Sequence, residues 1–148
     1  MAFTFFFRDI HTLEHAARIL AGEVIGRSRI RVWDAGCAMG PEPYTLAIIL
    51  AEHMGKFSFN NLTIDATDID EQDQFGITIN NAIYTVEETQ RIPEDIFNKY
   101  FEKSEDKPGY VKVKDFIKSK IKFQKHDLLS LKSIGQGYSL IVCKNVLL

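Results

Sequence analysis

No apolar run in this 148-residue chain is long enough to cross a bilayer; the longest, "TLAIILA" and "SLIVC", fall far short of the ~20 residues a spanning helix needs. The opening "MAFTFFF" is apolar but lacks a basic leading region and a small-residue cleavage site, so no signal peptide is expected. Cysteine is scarce. The two present, Cys37 and Cys143, stand far apart and form no Cys-x-x-Cys pair, so free thiols in a reducing cytoplasm are expected. The four histidines include no ligand-spaced pair, and no metal site is expected. An excess of charge is missing as well. With 18 Lys and Arg against 20 Asp and Glu, the net charge of −2 gives no electrostatic case for nucleic acid or an anionic membrane. What remains is ordinary globular composition over one domain's length, and residues 1–148 are read as a single domain.

Hydrophobic periodicity orders the elements. "DIHTLEHAARILA", Asp9 to Ala21, places Ile10, Leu13, Ala16, Ala17 and Leu20 on one helical face, with Gly22 expected to end the helix. "RIRVW" reads as a strand ending at Asp34. "PEPYTLAIILAEHMG" reads as a helix, because Pro41 and Pro43 are tolerated only in a first turn and Gly55 stands just past the end. "LTIDATDID" is a second strand and "EQDQFGITINNAIY" a weaker helix, followed by a short helix in "PEDIFNKYF". Ile121 and Phe123 alternate with lysines as a third strand. "YSLIVCKNVLL" is expected as a strand buried on both faces. Strand, helix, strand, helix, strand and a final strand make the order of a parallel α/β sheet.

The turn after the first strand holds the chemistry. In such sheets ligands bind at the carboxyl ends of the strands. "VWDAGCAMGPEPY" gives Asp34, Gly36 and Gly40 a D-x-G-x-x-x-G spacing there, the first glycine allowing close approach of a ligand to the backbone. Ala38 stands where a dinucleotide fingerprint has its second glycine, which disfavours NAD, and the absence of G-K-[ST] excludes a P-loop. Asp68 closes the second strand, where an acid accepts from ribose hydroxyls; Asp127 follows the third, where an acceptor could meet an adenine amine. Each aspartate alone could equally be a helix cap or an Asx turn. Together they fit an adenosine ligand without a polyphosphate, such as S-adenosylmethionine.

"FFFRD", "VWDAGCAMGPEPYTLAIIL", "ATDID", "NAIYTVEETQRIPEDIFNKYF" and "LIVCKNVLL" resemble, in order and over Thr4 to Leu148, the methyltransferase domain of CheR-type chemotaxis proteins. The resemblance implies a Rossmann-like S-adenosylmethionine-dependent methyltransferase sheet with helices on both faces. It implies methyl transfer to glutamate side chains in the cytoplasmic region of chemoreceptors, S-adenosylhomocysteine being the product. Thr4, Phe6, Phe7 and Arg8 match a family segment of the form N-x-T-x-F-F-R, with Ala2 at the Asn position. Thr4 and Arg8 thereby inherit cofactor contacts, and Arg8 a catalytic role. Gly36 belongs to the cofactor loop. Glu42 is the second Glu of the family's G-E-E-P-Y, Pro41 replacing the first, and would accept from the methionyl amino group. Asp68 maps to the ribose acid, and Asp127, Leu128 and Asn145 to the adenine pocket or its edge. Lys144 stands where Arg is more frequent, losing bidentate geometry.

Two departures qualify that picture. The family's small helical domain before "FFRD" is not in this sequence, and family members continue past "CKNVLL" with further helices and three strands. The sheet is therefore expected to be incomplete on its C-terminal side, with an uncovered edge and face, and to form homo-oligomers through the final strand or that face. The alternative to an enzyme is a catalytically incomplete module that binds S-adenosylmethionine or S-adenosylhomocysteine, or mediates assembly. No nucleic acid and no membrane insertion are expected.

Overall fold

The computed structural model describes residues 4–146; Ala2 of the family segment and the last two leucines of the final apolar stretch lie outside them. Helix α1 (Ile10–Glu23) is followed by strand β1 (Ile30–Ala35), α2 (Pro41–His53), the short α3 (Lys56–Asn60) and β2 (Leu62–Asp68). Next come α4 (Phe75–Asn81), β3 (Ile83–Thr85), α5 (Glu94–Tyr100), β4 (Phe101–Lys103), β5 (Tyr110–Val113), α6 (Asp115–Lys118), β6 (Ile121–Lys125) and β7 (Leu140–Cys143). Two single 3-10 turns, Glu87–Thr89 and Leu128–Ser130, complete the described elements.

β6, β2, β1 and β7 form, in that order, a parallel sheet, as the alternation of strands and helices predicts. Side chains alternate across it. Ile30 and Val32 of β1, Leu62, Ile64 and Ala66 of β2, Ile121 of β6 and Val142 of β7 share one face and join the core. That core closes against α2, whose residues from Pro43 to Leu50 are all buried. α1 lays Leu13, Ala17 and Leu20, one face of its helix, against α2.

The opposite sheet face carries a polar clamp. Arg31 donates to Asp65 Oδ2 at 3.1 Å, to the Gln136 carbonyl at 2.7 Å and to the Tyr138 hydroxyl at 2.9 Å, its guanidinium 4.4 Å above the Tyr138 ring. The Ser139 N–H then donates to the Arg31 carbonyl at 2.8 Å, delivering the chain into β7.

Several elements differ from expectation. α1 runs through Gly22 because buried Val24 holds its last turn, the Val24 N–H reaching the Leu20 carbonyl at 3.1 Å. Ile83 to Thr85 leaves the expected weak helix after Ala82, which turns left-handed, and pairs with β5. β3, β5 and β4 form a small antiparallel sheet that periodicity alone does not reveal. β7 is not buried on both faces: it is an edge strand among the described residues, with Val142 buried, Ile141 56% exposed and Cys143 exposed. Apolar residues on both faces mark a strand for burial only where layers cover both sides, and here one side is open.

Candidate functional site

The segment before α1 is fastened by its aromatic residues. Phe6 is fully buried, edge-on to Tyr84 at 4.9 Å and to Phe101 at 5.6 Å. The Phe7 N–H donates to Thr45 Oγ1 on α2 at 3.1 Å. Phe7 and Asp9 both adopt left-handed backbone, φ 62° and 51°, so Arg8 sits between two strained residues. Bulky residues rarely accept that conformation, and such strain concentrates at functional sites.

The glycine loop is built as tightly. The N–H groups of Gly36 and Cys37 both donate to the Thr67 carbonyl, at 2.8 and 2.9 Å, which hangs the loop on the end of β2. Gly40, at φ 109°, enters α2 with Pro41 in the first turn, a position that needs no N–H. A Cβ on Gly36 would collide with Val146 Cγ2, so glycine there keeps the chain after β7 close to the loop. Asp68 Oδ2 accepts from the Ala38 N–H at 2.9 Å and Oδ1 from the Ile69 N–H at 2.8 Å. Each oxygen keeps a further lone pair for a ligand.

These parts enclose one cavity of about 400 Å³ at the carboxyl ends of β1, β2 and β6. Thr4 and Arg8 enter from the segment before α1, Gly36 and Glu42 from the loop and the start of α2, and Asp68 from the end of β2. Asp127 and Leu128 follow β6, and Asn145 follows β7. All eight residues singled out from sequence thus line a single space. Asp127 also does what its capping alternative requires, its Oδ1 accepting from the Leu129 N–H at 2.9 Å. Asn145 donates to Asp9 Oδ2 at 3.3 Å.

Sequence reasoning passed over His126, Ile69, Leu129 and Val146, which share the wall. His126 packs edge-on to Trp33 at 5.8 Å with Nε2 buried and without a hydrogen-bond partner. Its position immediately before Asp127 was the only local signal, and nothing in the pattern distinguished it from a loop histidine.

Charge is concentrated at one end. Lys144 Nζ donates to Glu42 Oε2 at 2.8 Å and lies 3.2 Å from Asp9 Oδ2. Burial works against the Lys144 charge, but Glu42 and Asp9, through hydrogen bonds and charge together, hold its pKa above the ordinary lysine value. The Lys144 and Asn145 hydrogen bonds keep the exposed Asp9 below the usual carboxylate range. Behind them Asp34 is fully buried, and burial foremost, then the Glu42 charge, pushes it well above that range.

The cavity suits a small ligand rich in donors, its volume within the ~300–1,000 Å³ typical of small-molecule sites. Asp68 and Asp127 offer carboxylate acceptors, and Glu42 Oε2, which accepts from Lys144, keeps a further lone pair. That set fits S-adenosylmethionine, which brings ribose hydroxyls, an adenine amine and an ammonium. No three His, Cys, Asp or Glu side chains among the described residues are grouped to hold a metal ion. No described helix is long and apolar enough to cross a membrane.

Residues 2–148 match the family described as CheR methyltransferase, SAM binding domain. The chain is 29% identical over 98% of its length to chemotaxis protein methyltransferase 2 of Vibrio cholerae serotype O1, covering 51% of that protein. It is 33% identical over 82% of its length to the chemotaxis protein methyltransferase of Borreliella burgdorferi, covering 42% of it. A chemotaxis protein methyltransferase of Listeria innocua is similar at 32% over 82% of the chain and 43% of that protein. The chain spans about half the length of these relatives, or less. With a parallel sheet, a glycine loop and a donor-seeking cavity at the strand ends, S-adenosylmethionine is the cofactor indicated, and the chain belongs to the CheR methyltransferase SAM-binding domain family.

Proposed function

We propose that the chain forms the cofactor-binding part of a cytoplasmic protein-glutamate O-methyltransferase, acting on glutamate side chains in the cytoplasmic region of chemoreceptors. The observation that carries this reading is the convergence of Arg8, Glu42, Asp68 and Asp127, from four separate places in the chain, on one cavity. In this reading Asp68 accepts from ribose hydroxyls, Asp127 and Leu128 border the adenine, Thr4, Gly36 and Asn145 complete the walls, and Glu42 accepts from the methionyl ammonium.

When bound, S-adenosylmethionine supplies a methyl group on a sulfonium. The acceptor glutamate, with an ordinary pKa of about 4.3, is already ionised at pH 7, so the protein needs no general base. Its task is to position and to exclude water. Arg8 orients the acceptor carboxylate through charge-assisted hydrogen bonds, and its place on the strained turn before α1 directs it to the cavity rim.

The second reading is a module that holds the cofactor without turnover. It is favoured by the Lys144 ammonium on Glu42 Oε2, the acceptor that a ligand ammonium must share. Calorimetric titration with S-adenosylhomocysteine, with Asp68→Ala as control, comes first; micromolar binding lost in the variant supports the cofactor site. Transfer of labelled methyl to a receptor cytoplasmic fragment then separates the two readings. No binding by folded protein overturns both.

Residues 1–148 act in this reading as one domain, assembling into homo-oligomers through the edge of β7 and the sheet face bearing Ile141. Gel filtration that gives a compact monomer at every concentration removes the assembly.

A further inference from the structure

Asp34 takes no part in the contacts proposed above, yet it is the least accommodated group near the cavity. By strand alternation it lies on the helix-covered face of β1, level with Ala66 of β2 and Val142 of β7. It is fully buried, and neither carboxyl oxygen has a hydrogen-bond partner. Glu42 at the start of α2 repeats the pattern: Oε2 accepts from Lys144, while Oε1 is buried and has no donor.

Two ionised carboxylates offer only lone pairs to each other and make no bond. One proton changes that. The charges nearby cannot settle the pair otherwise. Lys144, from the chain after β7, brings one positive charge that it already shares between Glu42 and Asp9. Asp68 at the end of β2 adds negative charge, and the neighbouring Cys37 and Cys143 thiols are neutral, burial foremost holding both up.

We propose that Asp34 is a positioning residue that keeps its proton and donates it to Glu42 Oε1, fixing the Glu42 carboxylate with Oε2 toward the cavity. Burial and the Glu42 charge both favour that neutral form of Asp34. The protonated acid spares the site a second buried negative charge while satisfying the one acceptor that Lys144 leaves unused. Glu42 is then held ready to receive an ammonium without first rearranging. This role for ligand binding rests on the cofactor reading above; the protonation state does not.

Carboxyl carbon NMR of the ¹³C-labelled full chain, titrated from pH 5 to pH 8 without ligand, tests the proton. The Asp34 signal, assigned by its loss in Asp34→Asn, is expected at the protonated position at pH 7. A carboxylate position there overturns the proposal whether or not the cofactor reading stands. Calorimetry with S-adenosylhomocysteine tests the positioning. Asp34→Asn, whose amide can still donate to Glu42, should bind within about threefold of the unaltered chain, and Asp34→Ala about tenfold more weakly. Equal binding by all three overturns it. Should Asp34→Ala fail to fold, Asp34→Asn decides: a loss of about tenfold in that variant counts against donation. Failure of the unaltered chain to bind refutes the cofactor reading alone, and the NMR titration still rules on Asp34.

Discussion

The Tyr84 hydroxyl donates a 2.7 Å hydrogen bond to the main-chain carbonyl of Met39, joining the small antiparallel sheet to the loop at the end of β1. Tyr84 is itself buried, against Phe6 on one side and Tyr44 on another. The small sheet therefore braces the cavity from outside it. Tyr84→Phe keeps the packing and removes the donor, leaving a part-buried carbonyl unpaired. Chemical denaturation should show a loss of about 1–2 kcal/mol. An unchanged midpoint would mean that water replaces the hydroxyl and that the sheet does not brace the loop.

Gly40 stands in the same junction. Its φ of 109° is unfavourable for any residue with a Cβ, and that Cβ would meet the Tyr84 hydroxyl at 2.5 Å and Ile79 Cγ1 at 2.9 Å. Gly40→Ala should lower stability by about 2–3 kcal/mol, backbone strain and overpacking acting together. Thermal melts of Gly40→Ala and of Gly55→Ala, where a Cβ meets nothing within 4 Å, make the comparison. Similar melting temperatures would count against the junction.

Asp70 should contribute to acid sensitivity. It is buried, with Oδ1 accepting from the N–H groups of Gln74 and Phe75, both at 2.9 Å, and Oδ2 from Gly76 at 3.1 Å. Burial alone would raise its pKa, but these donors and the Lys125 charge outweigh it and hold the group below the ordinary aspartate value. A lowered folded pKa gives stability that is complete above the unfolded value, about 3.9, and is lost as pH falls through the folded one. Asp70→Ala should therefore cost about 2 kcal/mol at pH 6, and the gap should narrow below about pH 3. Urea titrations at the two pH values measure it. A gap that stays constant would assign Asp70 a packing role only.

Much of the sheet is readable in the sequence, because its signals are local. Pro41 and Pro43 can occupy only a first turn, and Gly55 lies just past the end of α2, so that helix is bracketed by its own residues. Asp68 and Asp127 follow apolar strands, and that order alone places them on one side of a parallel sheet. The small sheet is different. Its strands are three or four residues long, too short for a period to show, and they exist through pairing, β5 with β3 across the intervening α5 and with β4 next to it in the chain. The Lys144–Glu42 contact joins residues 102 apart in sequence, and no spacing rule announces it. Asp34 is visible as an acid at a strand end, but its full burial depends on layers contributed by α2 and β7.

Lys144 should matter before any ligand arrives. It and Glu42 are 15% and 12% exposed, so removing the cation strands a largely buried carboxylate. Lys144→Met, which keeps the length of the side chain, should cost about 2 kcal/mol in the ligand-free protein at pH 7. Glu42→Gln in the same background should recover part of it. A double-mutant cycle with no coupling between the two positions would dissolve the pair as a stabilising unit.

The Arg31 clamp lies at the far end of the sheet from the cavity, yet the shape of the cavity depends on it. By seizing Gln136, Tyr138 and Ser139 it decides that Leu140 comes to rest opposite Val32, and every later residue of β7 inherits that alignment. A slip of one place would put Asn145 where Lys144 stands and turn Val142 out of the core. The ammonium that meets Glu42 is thus delivered by counting: a knot tied at residue 31 sets where residue 144 falls, as the first stitch of a row sets the last.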